Sequence, residues 1–141
     1  MCFFKKSKPK IELLSMLSDQ VQLEVKSLKM MFPCLLDAGQ PYFYTTSEGW
    51  AEVFDYIYFK YPMPPYIVAR MDCDGFAIWM AGLVQATLGL NYFAIVLGDA
   101  LGGYHAWNLF RDDQGLLQLE PQTGKFFKLG DHNYFPEYVL L

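Results

Sequence analysis

Tyr104-His105-Ala106-Trp107-Asn108-Leu109-Phe110-Arg111-Asp112-Asp113-Gln114-Gly115-Leu116-Leu117-Gln118-Leu119-Glu120 is the stretch that decides the architecture. Two strand-like runs flank a polar turn that closes on a glycine, which is the pattern of a β-hairpin. If Arg111 faces Leu116 across that turn, Trp107 falls opposite Glu120 and His105 opposite Gln122. Glu120 is then diagonal to His105 on the same face, roughly 7–8 Å away between Cα atoms and within side-chain reach. A slip of one residue would send Glu120 to the other face. Asn108 points away from His105, because strand side chains alternate, and reads as a hydrogen-bonding support residue.

Working outward, residues 92–97 and 125–129 continue the strand pattern and predict an antiparallel sheet. Upstream, Phe76, Ala77, Met80, Ala81, Leu83, Val84 and Leu88 predict a broadly apolar, central helix that starts at an Asp72 cap and stops at Gly89. Pro62, Pro64 and Pro65 separate it from a helix over roughly 47–60, opened by the capping-box pattern Thr45-x-x-Glu48. Ile11, Leu14, Leu17, Val21, Val25, Leu28 and Phe32 recur at helical spacing and predict a further helix ending at Pro33. Residues 35–46 read as a loop with room for one short strand, and the aromatic tail 134–141 as a plug or an added edge strand. The sequence therefore predicts an α+β fold in which a central helix packs on an antiparallel sheet. A flexible basic tail over 1–10 precedes a single domain over 11–141.

Hydrophobic residues make up 53% of the chain and aromatic ones 18%, which excludes a disordered linker. The net charge of −4, with lysines clustered only at one end, argues against nucleic acid as a partner. Cys2, Cys34 and Cys73 lack the spacing of a disulfide framework or a zinc site, so reduced thiols in the cytoplasm are expected. No apolar run approaches the length of a membrane span or a secretory signal. Cys2, beside Phe3, Phe4 and Lys5, reads as an exposed tail or an acylation site.

The chemistry-bearing residue is Cys73, in Met71-Asp72-Cys73-Asp74-Gly75-Phe76-Ala77. At a helix start, free N–H groups and the macrodipole stabilise a thiolate, and a histidine nearby would add a full charge. His105 is favoured as the base over His132, which lies in a turn-like stretch. Glu120 would orient the imidazole. Gln40, Tyr44 and Trp50 are the upstream donors available to an oxyanion, Trp50 being preferred. Asp72 and Asp74 oppose a thiolate unless their charges are neutralised, so they read as helix-start residues or as a calcium-binding or regulatory pair.

These residues resemble the transglutaminase-like superfamily within the papain-like cysteine hydrolases. The pattern comprises Asp72-Cys73-Asp74-Gly75-Phe76-Ala77, His105-Ala106-Trp107-Asn108 and Leu119-Glu120-Pro121-Gln122-Thr123-Gly124. The resemblance implies Cys73 as nucleophile, His105 as general acid/base and Glu120, in place of the commoner aspartate, as the orienting acid. It also implies Asp72 and Asp74 as ligands of an activating calcium, with no other cofactor required. A cysteine protease or amidase acting on a protein, peptide or small amide through a thioester is the expected activity. The alternatives are an amide acyltransferase or transglutaminase, and a non-catalytic binding or virion-associated module that retains the fold.

Overall fold

The computed structural model describes residues 6–28, 32–36, 39–68 and 70–141. Within them the chain runs β1 (Leu14–Leu17), α1 (Ser18–Ser27), β2 (Phe32–Cys34), β3 (Pro41–Tyr44), α2 (Ser47–Lys60) and α3 (Cys73–Leu88). It continues through β4 (Phe93–Ala100), β5 (Gly103–Arg111), β6 (Leu116–Glu120), β7 (Lys125–Lys128) and β8 (Tyr134–Leu140). Six strands form one sheet in the order β2-β8-β4-β5-β6-β7, and β1 pairs with β3 in a separate antiparallel ribbon.

The hairpin that opened the reading is β5–β6, and its ladder joins Arg111 to Leu116 and Asn108 to Leu119. Asp112 shapes its turn by accepting the Gln114 and Gly115 N–H groups at 2.7 and 2.9 Å, while its other oxygen accepts the Ser47 hydroxyl at the start of α2. One buried carboxylate thus fixes a turn and anchors a helix. Opposite this hairpin, β4 pairs with β5 from Phe93↔Phe110 to Ala100↔Gly103, leaving Leu101-Gly102 as a two-residue turn.

Helices α2 and α3 both contribute to the core. Trp50 and Phe54 of α2 pack with Phe93 and Phe110, and the Trp50–Phe110 ring centroids are 4.9 Å apart. Such ring pairs add roughly 0.5–1.5 kcal/mol each beyond area burial. Phe76, Ala77, Met80 and Val84 form the buried side of α3. The helix is tied to the sheet by the Asn108 side-chain amide, which donates to the Ala77 and Ala94 carbonyls at 2.9 and 3.0 Å. Gly89 ends it in the left-handed conformation, with φ of 72°.

Several expectations are corrected. The sheet is mixed rather than antiparallel, because β2 lies parallel to β8. The tail is neither plug nor edge: β8 is inserted between β2 and β4. The helix expected from Ile11 divides into β1 and α1. Leu14-Ser15-Met16-Leu17 alternates in burial and finds ladder partners in Pro41–Tyr44, which outweighs its helical spacing. Thr46, not Thr45, caps α2 by accepting the Gly49 N–H, while the Thr45 hydroxyl donates to the Glu12 carbonyl. The architecture as a whole is strand-dominated, organised by a six-stranded mixed sheet with three helices as covers among the described residues. It is not the expected papain-like core of a central helix on an antiparallel sheet.

Of the expected basic tail, residues 1–5, with Cys2, lie outside the described residues. Residues 6–10 run without secondary structure beside α2, where Lys6 pairs with Asp55 and sits over the Phe59 ring.

Candidate functional site

His105 sits on β5 and Glu120 at the end of β6, on one face of the hairpin. Their side chains meet at 2.6 Å between His105 Nε2 and Glu120 Oε2. The same carboxylate oxygen accepts the Tyr134 hydroxyl at 3.0 Å, and Oε1 accepts the Gln122 N–H at 3.3 Å. Glu120 is only 7% exposed, and these donors replace the water it has lost. Burial, and secondarily the Glu120 charge, raise the Tyr134 phenol well above its ordinary range and hold it as a donor.

Aromatic packing fixes the cluster from behind. Tyr134 stands edge-on to Trp107 with centroids 5.1 Å apart and against Phe127 at 4.7 Å. The Trp107 indole is itself held by Gln118 Oε1 at 2.8 Å. On the outer side, the Tyr58 hydroxyl of α2 donates to the Pro121 carbonyl at 2.7 Å and pins the loop after β6.

In front of the cluster opens a cavity of about 630 Å³, within the size range of small-molecule sites. Its walls include His105, Glu120, Gln122, Lys125, Phe126 and His132. Glu120 is the one acidic side chain of the lining, and its oxygens are engaged. The other polar side chains of the wall are Gln122, Thr123, Lys125 and His132, of which the Thr123 hydroxyl already donates to the Glu120 carbonyl. Phe127, which is partly exposed and packs on His132 and Tyr134, offers an aromatic surface beside them, whereas the Phe126 ring turns to the other face and packs on Phe54 and Phe110.

The other sequence-derived candidates lie elsewhere. Cys73, a partly exposed free thiol, is the first residue of α3 and does not line this cavity. His105 Nε2 is committed to Glu120, which leaves Nδ1 as its second ring nitrogen. Among the described residues, no group of three or more His, Cys, Asp or Glu side chains is gathered as a metal site. Trp50 is buried and donates its Nε1–H to the Arg111 carbonyl at 2.6 Å, so it has no donor left for an oxyanion. Gln40 is exposed near β3, and Asn108 is occupied with α3 and β4. Gln122 alone of the supporting residues joins His105 and Glu120 in the cavity wall.

Asp72 and Asp74 face each other. Their mutual hydrogen bond, followed by desolvation and the Asp74 charge, raises the Asp72 carboxyl, while the same bond lowers Asp74. Asp72 makes no side-chain cap on α3. The two carboxyls alone offer fewer oxygens than the six to eight that calcium takes.

Sequence reasoning missed Tyr134 and His132, assigned to a tail and a turn, and the lining role of Phe126 and Leu101. Only the alternation of β7 hinted that Phe126 and Phe127 point to opposite faces.

No protein-family model and no curated protein matches the chain. The solved structures that share its fold include two that cover most of this chain. One is a Polyporus squamosus lectin bound to the human-type influenza-binding epitope Neu5Acα2-6Galβ1-4GlcNAc, at a TM-score of 0.72. The other is described as a PSL1a-E64 complex, at a TM-score of 0.69. Each is 20% identical over 91% of this chain, and the chain spans 50% of the length of either. At that identity the likeness is one of fold.

These findings correct the earlier assignment. The neighbour whose class is stated is a lectin, so the transglutaminase-like, papain-like assignment and the cysteine protease or amidase reading built on it, with its peptide substrate, are withdrawn. Among the described residues no helix is long and apolar enough to cross a membrane.

Proposed function

We propose that this chain is a non-catalytic binding module that holds a saccharide-sized ligand in the cavity between β5–β7 and the turn before β8. The observation that carries the reading is the cavity's composition: an aromatic surface at Phe127 beside polar groups at Gln122, Thr123, Lys125 and His132. A sugar presents apolar C–H faces and a ring of hydroxyls, and such a wall answers both. The Glu120 cluster keeps this wall rigid, so less ordering is required on binding. The saccharide bound by the Polyporus squamosus lectin is the natural first probe.

Titration calorimetry with Neu5Acα2-6Galβ1-4GlcNAc is expected to give saturable one-site binding, weakened at least about tenfold, or about 1.4 kcal/mol, by Phe127→Ala. Absence of heat for this glycan and for a glycan array would reject the saccharide reading. Calcium at Asp72 and Asp74 belongs to the same proposal only as an accessory ion, since carboxylates bind it deprotonated. Calcium affinity that does not rise with pH would reject it. The free thiols of Cys34 and Cys73 support a reducing, cytoplasmic setting.

A further inference from the structure

Among the described residues, Leu101, His132 and Asn133 are the non-glycine residues with positive φ. Two of them, Leu101 and His132, line the cavity. His and Asn tolerate the left-handed region, but leucine does not. Leu101, with φ of 56°, is the first central residue of the two-residue β4–β5 turn, and Gly102 follows at 85°. Such turns favour Asn-Gly, Asp-Gly or Gly-Gly, because both central residues need positive φ. Leu101 is also 73% exposed, so no core burial offsets the strain. A bulky apolar side chain is thus held in an unfavourable conformation, out of the core, at the mouth of the cavity.

We propose that Leu101 is a specificity-determining residue of this cavity, an apolar rim contact kept at a cost in stability because it packs on the ligand. The inference rests on the reading that this cavity is the binding site. Leu101 gives the mouth an apolar side opposite in character to Lys125, so the favoured ligand combines an apolar face with a polar or anionic group. The strain is local to the turn: β4 and β5 are paired up to Ala100 and Gly103 on either side, and a side chain better suited to positive φ is accommodated without moving either strand.

The test uses the full chain, with Leu101→Asn as the variant and Ile78→Gln, an exposed apolar position on α3, as the control. The probe is 8-anilinonaphthalene-1-sulfonate, which has an aromatic body and an anionic group. Leu101→Asn is expected to raise Tm by about 2–6 °C and to weaken probe binding at least about fivefold, with Ile78→Gln leaving binding unchanged. A Tm that stays level or falls would show that Leu101 sits there without strain and overturn the proposal. A raised Tm with unchanged probe binding would mark a poor turn residue with no ligand role, and would overturn it too. So would a wild-type protein that does not bind the probe. Failure of Neu5Acα2-6Galβ1-4GlcNAc to displace a probe that responds to Leu101→Asn would strike the saccharide reading and leave the Leu101 proposal standing.

Discussion

Glu120 shows how much one side chain can organise when it is buried with its partners in place. It accepts from His105, Tyr134 and the Gln122 backbone, and each donor would be stranded by its loss. Glu120→Ala is therefore expected to cost about 3–5 kcal/mol in urea denaturation, whereas Glu120→Gln, which keeps an acceptor, is expected to cost about 1–2 kcal/mol. Equal losses would contradict the hydrogen-bond account. At the start of α3 the expected effect is one of pH. The Asp72 carboxyl is raised, so its contribution is present while it holds the proton and fades as pH rises through its folded value. Asp74 is lowered, so its contribution fades as pH falls. Asp72→Asn keeps a donor at every pH, and its thermal melts between about pH 3 and 8 should lack the decline on the alkaline side of the carboxylate range. At this scale the meeting of His105 and Glu120 was legible, because the hairpin register follows from a local turn. Tyr134 and His132 were not, since the connection after β7 returns to the same cavity by a path that no local pattern encodes.

Among the elements, β8 matters most for what the sequence did not disclose. Its pairing with β4 breaks register between Leu97 and Gly98, and a Cβ at Gly98 would collide with the Phe135 carbonyl oxygen. Gly98→Ala should therefore destabilise by about 1–3 kcal/mol, with faster amide exchange along residues 134–137 as the measurable sign. Unchanged exchange there would place the irregularity elsewhere. The α2 boundaries were readable, because a polar cap and a following proline run punctuate them. The β1–β3 ribbon and the parallel β2–β8 pairing were not: both depend on partners distant in sequence, and Leu14–Leu17 satisfies a helical period as well as a strand one. The apolar run of α3 was read correctly as helix, yet its prominence gave the whole molecule too helix-centred a description.

For the molecule as a whole, the sequence pattern around Cys73 pointed toward hydrolysis, whereas the proposed reading is binding, in a fold shared with a lectin. Cys73 begins α3 and is not among the residues lining the described cavity, which is walled by β5–β7. A chain that spans half the length of its structural neighbours also leaves partners and the remaining half of their architecture to experiment. The central claim is that ligand is held in this cavity and released unchanged. The most direct measurement is a 1H–15N NMR titration with Neu5Acα2-6Galβ1-4GlcNAc, run in parallel on wild type and Cys73→Ala, with a peptide-amide library incubated with both and assayed by mass spectrometry. The account predicts saturable shifts at residues 122–127 and 132–134, the same affinity in both proteins, and an intact library. Cleavage of library members by wild type that is lost in Cys73→Ala would contradict it.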